Sequence, residues 1–217
     1  MVTIIANERM KFPEVNIERR DFLKSIEEKW QKIWEQERVF EADPDPSKQK
    51  FFVTFPYPYI NAYPHLGTGY TVLRVDILAR FKRMQGYNVL FPQGWHATGG
   101  PIAAAALRVR EGDPKQISIL RSLGIPESKI PKFKDPEYWV YFFTKEFKRD
   151  FQRLGLSIDW RREFFTTKLN PPYNKFIQWQ YTLLREKNLI AKGRHPVVWC
   201  PKEQKVVSHD FLFFGAP

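Results

Sequence analysis

The residues best suited to chemistry lie in one short run, residues 55–68, which follows a predicted strand. His65 offers a ring N–H, and Gly67 lets a ligand approach the backbone because it carries no Cβ. A predicted helix follows, and the free N–H groups and dipole at a helix N-terminus favour phosphate. The run therefore predicts a nucleotide site. It matches neither of the common glycine-rich phosphate loops, so a plain strand-to-helix turn with a surface histidine is an equal alternative.

The elements that must position this run form a βαβ unit. A β-branched and aromatic segment, residues 51–55, predicts a strand that ends at Pro56 and Pro58. Residues 69–84 predict a helix that stops before Gly86, and residues 88–91 predict a second strand. A parallel sheet with a right-handed crossover follows from this order. Because ligands bind outside the carboxyl ends of parallel strands, residues 55–68 lie where a ligand is expected.

The rest of the chain is predicted to be mainly helical. The expected helices are residues 21–40 with Asp21 as N-cap, then 101–111, 138–154 and 172–187. Residues 112–137 contain four prolines and predict a loop. Short strand-like pieces appear at residues 197–199 and 206–207. The fold class is therefore α/β.

Composition narrows the function further. Lys and Arg number 35 against 24 Asp and Glu, for a net charge of +11, which fits a polyanionic partner or, equally, a solvated basic face. Cys200 is the single cysteine, which excludes a disulfide framework, and with His209 it supplies too few ligands for zinc. No apolar stretch approaches the roughly 20 residues of a membrane span, and residues 1–11 do not read as a signal peptide. We expect a cytoplasmic protein with no membrane partner and no metal site.

Four ordered blocks then carry a resemblance that covers residues 26–199, most of the chain. They are residues 55–68, which contain His65-Leu66-Gly67; residues 80–92; residues 94–102, which read Gly-Trp-His-Ala-Thr-Gly-Gly-Pro-Ile; and residues 154–167. The first resembles the His-x-Gly-His signature of class I aminoacyl-tRNA synthetases, and the others resemble the leucyl, valyl and isoleucyl branch. The third block in particular is similar to leucyl-tRNA synthetases of the archaeal and eukaryotic type.

This resemblance implies the first half of a Rossmann-like nucleotide-binding fold, with a parallel sheet and flanking helices. Residues 1–50 would form an N-terminal arm and helix, residues 51–190 the half-domain, and residues 191–217 the start of an inserted editing region. The implied ligands are ATP with Mg²⁺, leucine and tRNA-Leu. The implied catalytic residues are His65 and Thr68. The residues implied to bind ATP are His65, Gly67, Thr68 and Asn61, and those implied to bind the amino acid are Phe55, Pro56, Tyr57, Tyr59 and His96.

Several alternatives stay open at this stage. His96 also fits a core histidine, and Asp159 with Trp160 fits a helix-cap acid with a core tryptophan better than a catalytic pair. The basic segment 145–153 fits tRNA contact or a solvated face.

Two departures from the family limit the expected activity. Thr68 replaces the second histidine of the signature, and the Lys-Met-Ser-Lys-Ser signature does not occur in the 217 residues. We therefore expect a leucine–tRNA ligase fragment that is inactive alone, and a split gene would add a separately encoded C-terminal half as a partner. The alternatives are a non-catalytic paralogue that binds tRNA or a partner protein, and an enzyme of the same branch for valine or isoleucine.

Overall fold

The computed structural model describes residues 17–98, 100–194, 196–201 and 204–207. The helices are α1 (Ile17–Gln36), α2 (Leu66–Met84), α3 (Gly100–Arg110), α4 (Pro114–Ser122), α5 (Pro136–Arg153) and α6 (Pro171–Glu186). The strands are β1 (Lys50–Phe52), β2 (Asn88–Leu90), β3 (Gln93–Trp95), β4 (Glu163–Phe165), β5 (Val198–Cys200) and β6 (Lys205–Val207). The predicted N-terminal arm up to residue 16 and the predicted tail residue His209 lie outside the described residues.

The predicted βαβ unit is confirmed. Strands β1 and β2 pair in parallel with Phe51 opposite Val89, and α2 makes the crossover between them. The helix stops before Gly86, which adopts a φ of +85°. It begins at Leu66, three residues earlier than predicted, because the His65 side chain caps it by accepting a hydrogen bond from the Thr68 N–H. The sequence prediction missed this start because Ser, Thr, Asp and Asn are the usual capping residues.

A second parallel pair, β3 with β4, continues the same α/β architecture. Gly94 lies opposite Phe164, and the Thr166 N–H donates to the Trp95 carbonyl just beyond the strands (3.1 Å). Sequence analysis did not predict either strand, because three-residue strands are too short to show a period of two. Strands β5 and β6 form a separate antiparallel pair.

Helix α5 carries the aromatic side of the core. Its buried residues recur at helical spacing and include Trp139, Phe143, Phe147 and Phe151. The Trp95 ring of β3 stacks on Phe151, with ring centroids 6.3 Å apart. Each such buried side chain stabilises the fold by roughly 1.5–3 kcal/mol. The core therefore fixes β3 to α5, and β3 leads directly into His96.

The prediction of a loop over residues 112–137 is wrong over two stretches and holds between them, at residues 123–129. Helix α4 occupies Pro114–Ser122, and a 3₁₀ turn occupies Ile130–Lys134. The Asp113 carboxylate caps α4 by accepting from the Lys115 N–H at 2.8 Å, and Pro114 opens the helix. Proline is favoured at this first position because its missing N–H has no helical partner there. The interpretation of every proline as a breaker overlooked that preference.

Three helices leave apolar side chains exposed. Helix α1 begins at Ile17, so Asp21 is not its N-cap, and Trp30 on its predicted apolar stripe is 47% exposed. Helix α6 contains no buried residue, and Ile77 on the predicted apolar face of α2 is 66% exposed.

Within the described residues, the helices are either too short or too polar to span a lipid bilayer.

Candidate functional site

The N-terminus of α2 presents backbone N–H groups and one imidazole edge. His65 Nδ1 accepts from the Thr68 N–H at 3.3 Å, so in the neutral ring the proton lies on Nε2, which is left as a donor. The N–H groups of Leu66 and Gly67 have no acceptor among the described residues, as is usual for a first helical turn. This end of α2 can therefore offer several donors to one anion.

Gly67 leaves room for the His65 ring in its capping position. A Cβ at Gly67 would lie 3.0 Å from both Cε1 and Nδ1 of His65, so the imidazole occupies the space that a side chain would take. Gly69 in the same turn has open space around it. The predicted role of Gly67, close approach of a ligand, stays a prediction, and the structure gives it a second role in seating the ring.

The segment 57–59 lies beside the end of β3 and brings Tyr59 onto His96. The His96 N–H donates to the Pro58 carbonyl (3.1 Å), and Tyr59 and His96 form a parallel bridge. Their rings overlap, with centroids 4.0 Å apart and planes inclined by 32°. Burial lowers the pKa of His96 below its ordinary value of 6.5, so its ring is neutral at pH 7. A neutral imidazole can accept a hydrogen bond from an ammonium group.

Tyr57 lies on the same face as Tyr59, where segment 57–59 runs beside β3. Its ring packs over Gly94 and meets the edge of Phe164, with centroids 5.3 Å apart and planes at 86°. Tyr57 and Phe164 are both partly exposed. The structure thus brings together three predicted amino-acid-binding residues, Tyr57, Tyr59 and His96, and adds Phe164. Phe164 lies within the fourth family block, residues 154–167, but no local pattern in the sequence indicates its place beside Tyr57.

The other predicted site residues are dispersed. Phe55 is 4% exposed and packs on Phe151 in the core, while Pro56 is exposed. Asn61 is exposed, and its carbonyl accepts from Trp139 Nε1 at 2.9 Å. A groove of about 800 Å³ between α1, α2 and α5 includes His65, but it does not include Tyr57, Tyr59 or His96. That groove therefore does not join the predicted ATP residues to the predicted amino-acid residues.

A buried carboxylate fixes α2 against the loop that leads to β4. Asp76 accepts from both the N–H and the hydroxyl of Ser157 at 2.6 Å, and from Arg80 Nε at 2.7 Å. Arg83 donates to the Ser157 hydroxyl and carbonyl at 2.7 and 2.9 Å. Burial lowers the pKa of Arg83 to about 10, with Asp76 opposing that shift, so the guanidinium stays charged at neutral pH. This network holds the helix whose first turn carries His65.

Asp159 caps a short turn, as sequence analysis favoured. Its carboxylate accepts from the Arg161 N–H at 3.2 Å and from the Ala42 N–H at 3.0 Å. Burial opposes its ionisation, but the hydrogen bonds from Arg161 and Ala42 outweigh it, so the pKa of Asp159 lies below its usual range. Trp160 is partly buried against the core.

Charge on α5 is partly paired within the protein. Lys148 binds Glu163 at 2.6 Å, and Arg149 contacts both Glu146 and Asp150. Lys145 and Arg153 are exposed and have no ion pair among the described residues, so the solvated face and tRNA contact both stay predictions for residues 145–153. Among the described residues, no three His, Cys, Asp or Glu side chains cluster as metal ligands. The side chain of Cys200 and all of His209 lie outside them, so the absence of zinc stays a prediction.

Comparison with known proteins places these features in a family. The family model "tRNA synthetases class I (I, L, M and V)" matches residues 29–210. The leucine–tRNA ligase of Aeropyrum pernix is 70% identical over 189 residues, which are 87% of this chain and 20% of that protein. The leucine–tRNA ligase of Methanothermobacter thermautotrophicus is 47% identical over 86% of this chain and 20% of its own length.

A solved structure agrees with these sequence matches. The crystal structure of the ternary complex of Agrobacterium radiobacter K84 agnB2 LeuRS with tRNA and LeuAMS matches with a TM-score of 0.63 and 28% identity. The match covers 85% of this chain and 21% of that one. The chain thus spans about a fifth of the length of the curated relatives it matches. The family model covers most of the chain, and the parallel strands and helices match the fold of this solved structure. The chain therefore belongs to the class I tRNA synthetases of the isoleucyl, leucyl, methionyl and valyl group.

Proposed function

We propose that this chain is part of a leucine–tRNA ligase and holds the first half of its nucleotide-binding fold in residues 51–190. The protein to which it belongs would activate leucine with ATP and Mg²⁺ and transfer it to tRNA-Leu. The observation that carries the proposal is the arrangement of Tyr57, Tyr59 and His96 at the end of β3, in a chain whose α2 begins with open N–H groups. The names of the relatives support leucine as the amino acid.

The arrangement suits adenylate formation, in which a leucine carboxylate oxygen attacks the α-phosphorus of ATP. A new P–O bond forms, the bond to pyrophosphate breaks, and pyrophosphate leaves with the electron pair. No proton is removed from the carboxylate, so positioning and charge stabilisation matter more than a general base. His65 Nε2 and the first-turn N–H groups of α2 would hold phosphate oxygens, and the neutral His96 would accept from the leucine ammonium.

We propose that this chain alone does not complete the reaction. The 217 residues contain no Lys-Met-Ser-Lys-Ser run, whose lysine is expected to stabilise the departing pyrophosphate, and Thr68 offers a hydroxyl in place of an imidazole. A single missing transition-state donor costs on the order of a hundredfold in rate. A separately encoded C-terminal half, an editing region that begins near residue 191 and binding of tRNA-Leu are further parts of this proposal.

Two measurements test the proposal. Calorimetric titration of the chain with a non-hydrolysable leucyl-sulfamoyl adenylate should show saturable one-to-one binding, and no binding would contradict it. Leucine-dependent exchange of radiolabelled pyrophosphate into ATP should stay at background with the chain alone. Robust exchange would contradict the claim that the chain is inactive by itself, while leaving its assignment as a leucine ligase intact.

A second candidate function rests on Thr68 alone. A paralogue that no longer forms adenylate could still bind tRNA or a protein partner. It would give a mobility shift with tRNA-Leu but no affinity for the adenylate analogue, whereas the first proposal requires that the analogue bind. An enzyme for valine or isoleucine would bind the corresponding valyl or isoleucyl analogue more tightly than the leucyl one.

A further inference from the structure

Two strand residues form the seat of the Tyr57 ring. A Cβ on Gly94 would lie 2.6 Å from Cδ1 of Tyr57, closer than real Cβ contacts allow, so the ring rests directly on the glycine backbone. Phe164 meets the same ring edge-on, with centroids 5.3 Å apart. Gly94 and Phe164 are partners in the β3–β4 register. The register therefore places Gly94, which has no side chain, next to Phe164, and both contact the Tyr57 ring.

This seat lies on the face of the β3–β4 pair that carries His96. Side chains alternate along a strand, so Trp95 faces the core while Gly94 and His96 face the other way. Phe164 shares that outer face with Gly94, because register partners in a parallel pair point to the same side. Its ring also stacks on Tyr173 from the first turn of α6, with centroids 6.0 Å apart and planes at 24°. Tyr57, Phe164 and Tyr173 thus form a continuous aromatic row.

We propose that Phe164 and Gly94 are positioning residues that fix the Tyr57 ring and thereby set the amino-acid preference of the site. The inference rests on the proposed function, in which Tyr57 packs against the leucine side chain. A pocket distinguishes aliphatic side chains that differ by one methylene by only about 10- to 200-fold, so a small displacement of one wall changes that ratio. Loss of the edge-on contact frees the Tyr57 ring to move.

Phe165 supplies a matched control. It is the next residue of β4, is also partly buried, and points to the opposite face, where it contacts Tyr141 at a centroid distance of 5.7 Å. Phe165→Ala removes the same aromatic volume from the same strand without touching Tyr57. A purely structural role for Phe164 predicts that both substitutions act alike, through stability alone.

The experiment compares the binding of leucyl-, valyl- and methionyl-sulfamoyl adenylates to this chain by calorimetry. We expect Phe164→Ala to reduce the preference for the leucyl analogue about three- to tenfold, the range set by loss of one aromatic pair. Phe164→Tyr should keep the preference, because it retains the ring edge. Phe165→Ala should lower the melting temperature while leaving the preference unchanged. Gly94→Ala should reproduce the Phe164→Ala effect, because the new Cβ displaces Tyr57 from the other side.

The outcomes separate this inference from the proposed function. An unaltered chain that binds no analogue overturns the proposed function, and the inference with it. An unaltered chain that prefers the leucyl analogue, with the same preference in Phe164→Ala and Gly94→Ala, overturns the inference alone. Equal losses of preference in Phe164→Ala and Phe165→Ala overturn it as well. If Phe164→Ala does not fold, the Gly94→Ala result decides.

Discussion

The N-terminus of α2 offers backbone N–H groups and the Nε2 edge of His65, whereas the end of β3 offers the aromatic rings of Tyr57 and Tyr59, with Phe164 packed against Tyr57. The first region is exposed and shaped by a cap and a missing Cβ at Gly67. The second combines the exposed Tyr59 with the partly buried Tyr57 and Phe164, and it is shaped by strand register and ring packing. Backbone donors recognise any phosphate, while a set of rings recognises the size and shape of a side chain. Affinity for the nucleotide and choice of amino acid are therefore predicted to reside in separate regions.

The largest predicted effect concerns Asp76, the buried carboxylate that holds α2 in place. Asp76→Ala removes a carboxylate whose side chain is 6% exposed and leaves Arg80 Nε and the N–H and hydroxyl of Ser157 without this acceptor. We expect it to lower the free energy of unfolding by about 3 kcal/mol, because breaking a buried ion pair strands the remaining charge. Denaturation in urea measures this. Asp45→Ala in a surface loop, where the carboxylate binds Ser47 and Lys48, should have a much smaller effect, because exposed ion pairs contribute little.

A loss of similar size in both variants would contradict the view that Asp76 anchors α2. The sequence carried one sign of this anchor, a lone aspartate among the apolar positions of a predicted helix. It could not identify Ser157 as the partner, because the two lie 81 residues apart.

The next effect belongs to the aromatic region and depends on pH. Burial lowers the pKa of His96, so the folded protein keeps the ring neutral where an unfolded histidine is already protonated. The stability that His96 contributes, and its proposed contribution to leucine affinity, are thus present above the ordinary pKa of 6.5 and are lost as pH falls through the lowered pKa. An imidazolium would repel the leucine ammonium, and we expect leucine affinity to fall about tenfold across that range.

Calorimetry with leucine as a function of pH tests the role of His96. His96→Gln keeps an acceptor but cannot titrate, so its affinity should stay nearly constant over the same range. An identical pH profile in both proteins would show that another group controls binding. ATP affinity should not follow the titration of His96, since the two regions are separate.

The smallest effect belongs to the first turn of α2. In Gly67→Ala the new Cβ lies 3.0 Å from the His65 ring, so the ring must shift and weaken a cap hydrogen bond that is already 3.3 Å long. Loss of a helix cap costs about 1 kcal/mol, and we expect ATP affinity to fall about fivefold as the His65 donor moves. Gly69→Ala, two residues along, meets no neighbour within 4 Å and should leave ATP affinity unchanged. Fluorescence competition with a labelled ATP analogue measures both.

Much of the framework was predictable from sequence, and the contacts that complete the site were not. The β1–α2–β2 unit followed from local signals, namely a β-branched run, a helical period and the stop at Gly86. Helix α4 was missed because prolines were interpreted only as breakers, and β3 and β4 were missed because they are three residues long. The placement of Phe164 beside Tyr57 depends on that missed register, in which Gly94 is paired with a residue 70 positions later. The ring contact of Tyr59 with His96 depends on a bridge that no local pattern encodes.

The most direct test of two separate regions is a crossed titration. Leucine and ATP are each titrated by calorimetry into the unaltered chain, Gly67→Ala and His96→Ala. We predict that Gly67→Ala weakens ATP about fivefold and leaves leucine unchanged, while His96→Ala weakens leucine about tenfold and leaves ATP unchanged. Equal losses of both ligands in both variants, or no loss in either, would contradict the account.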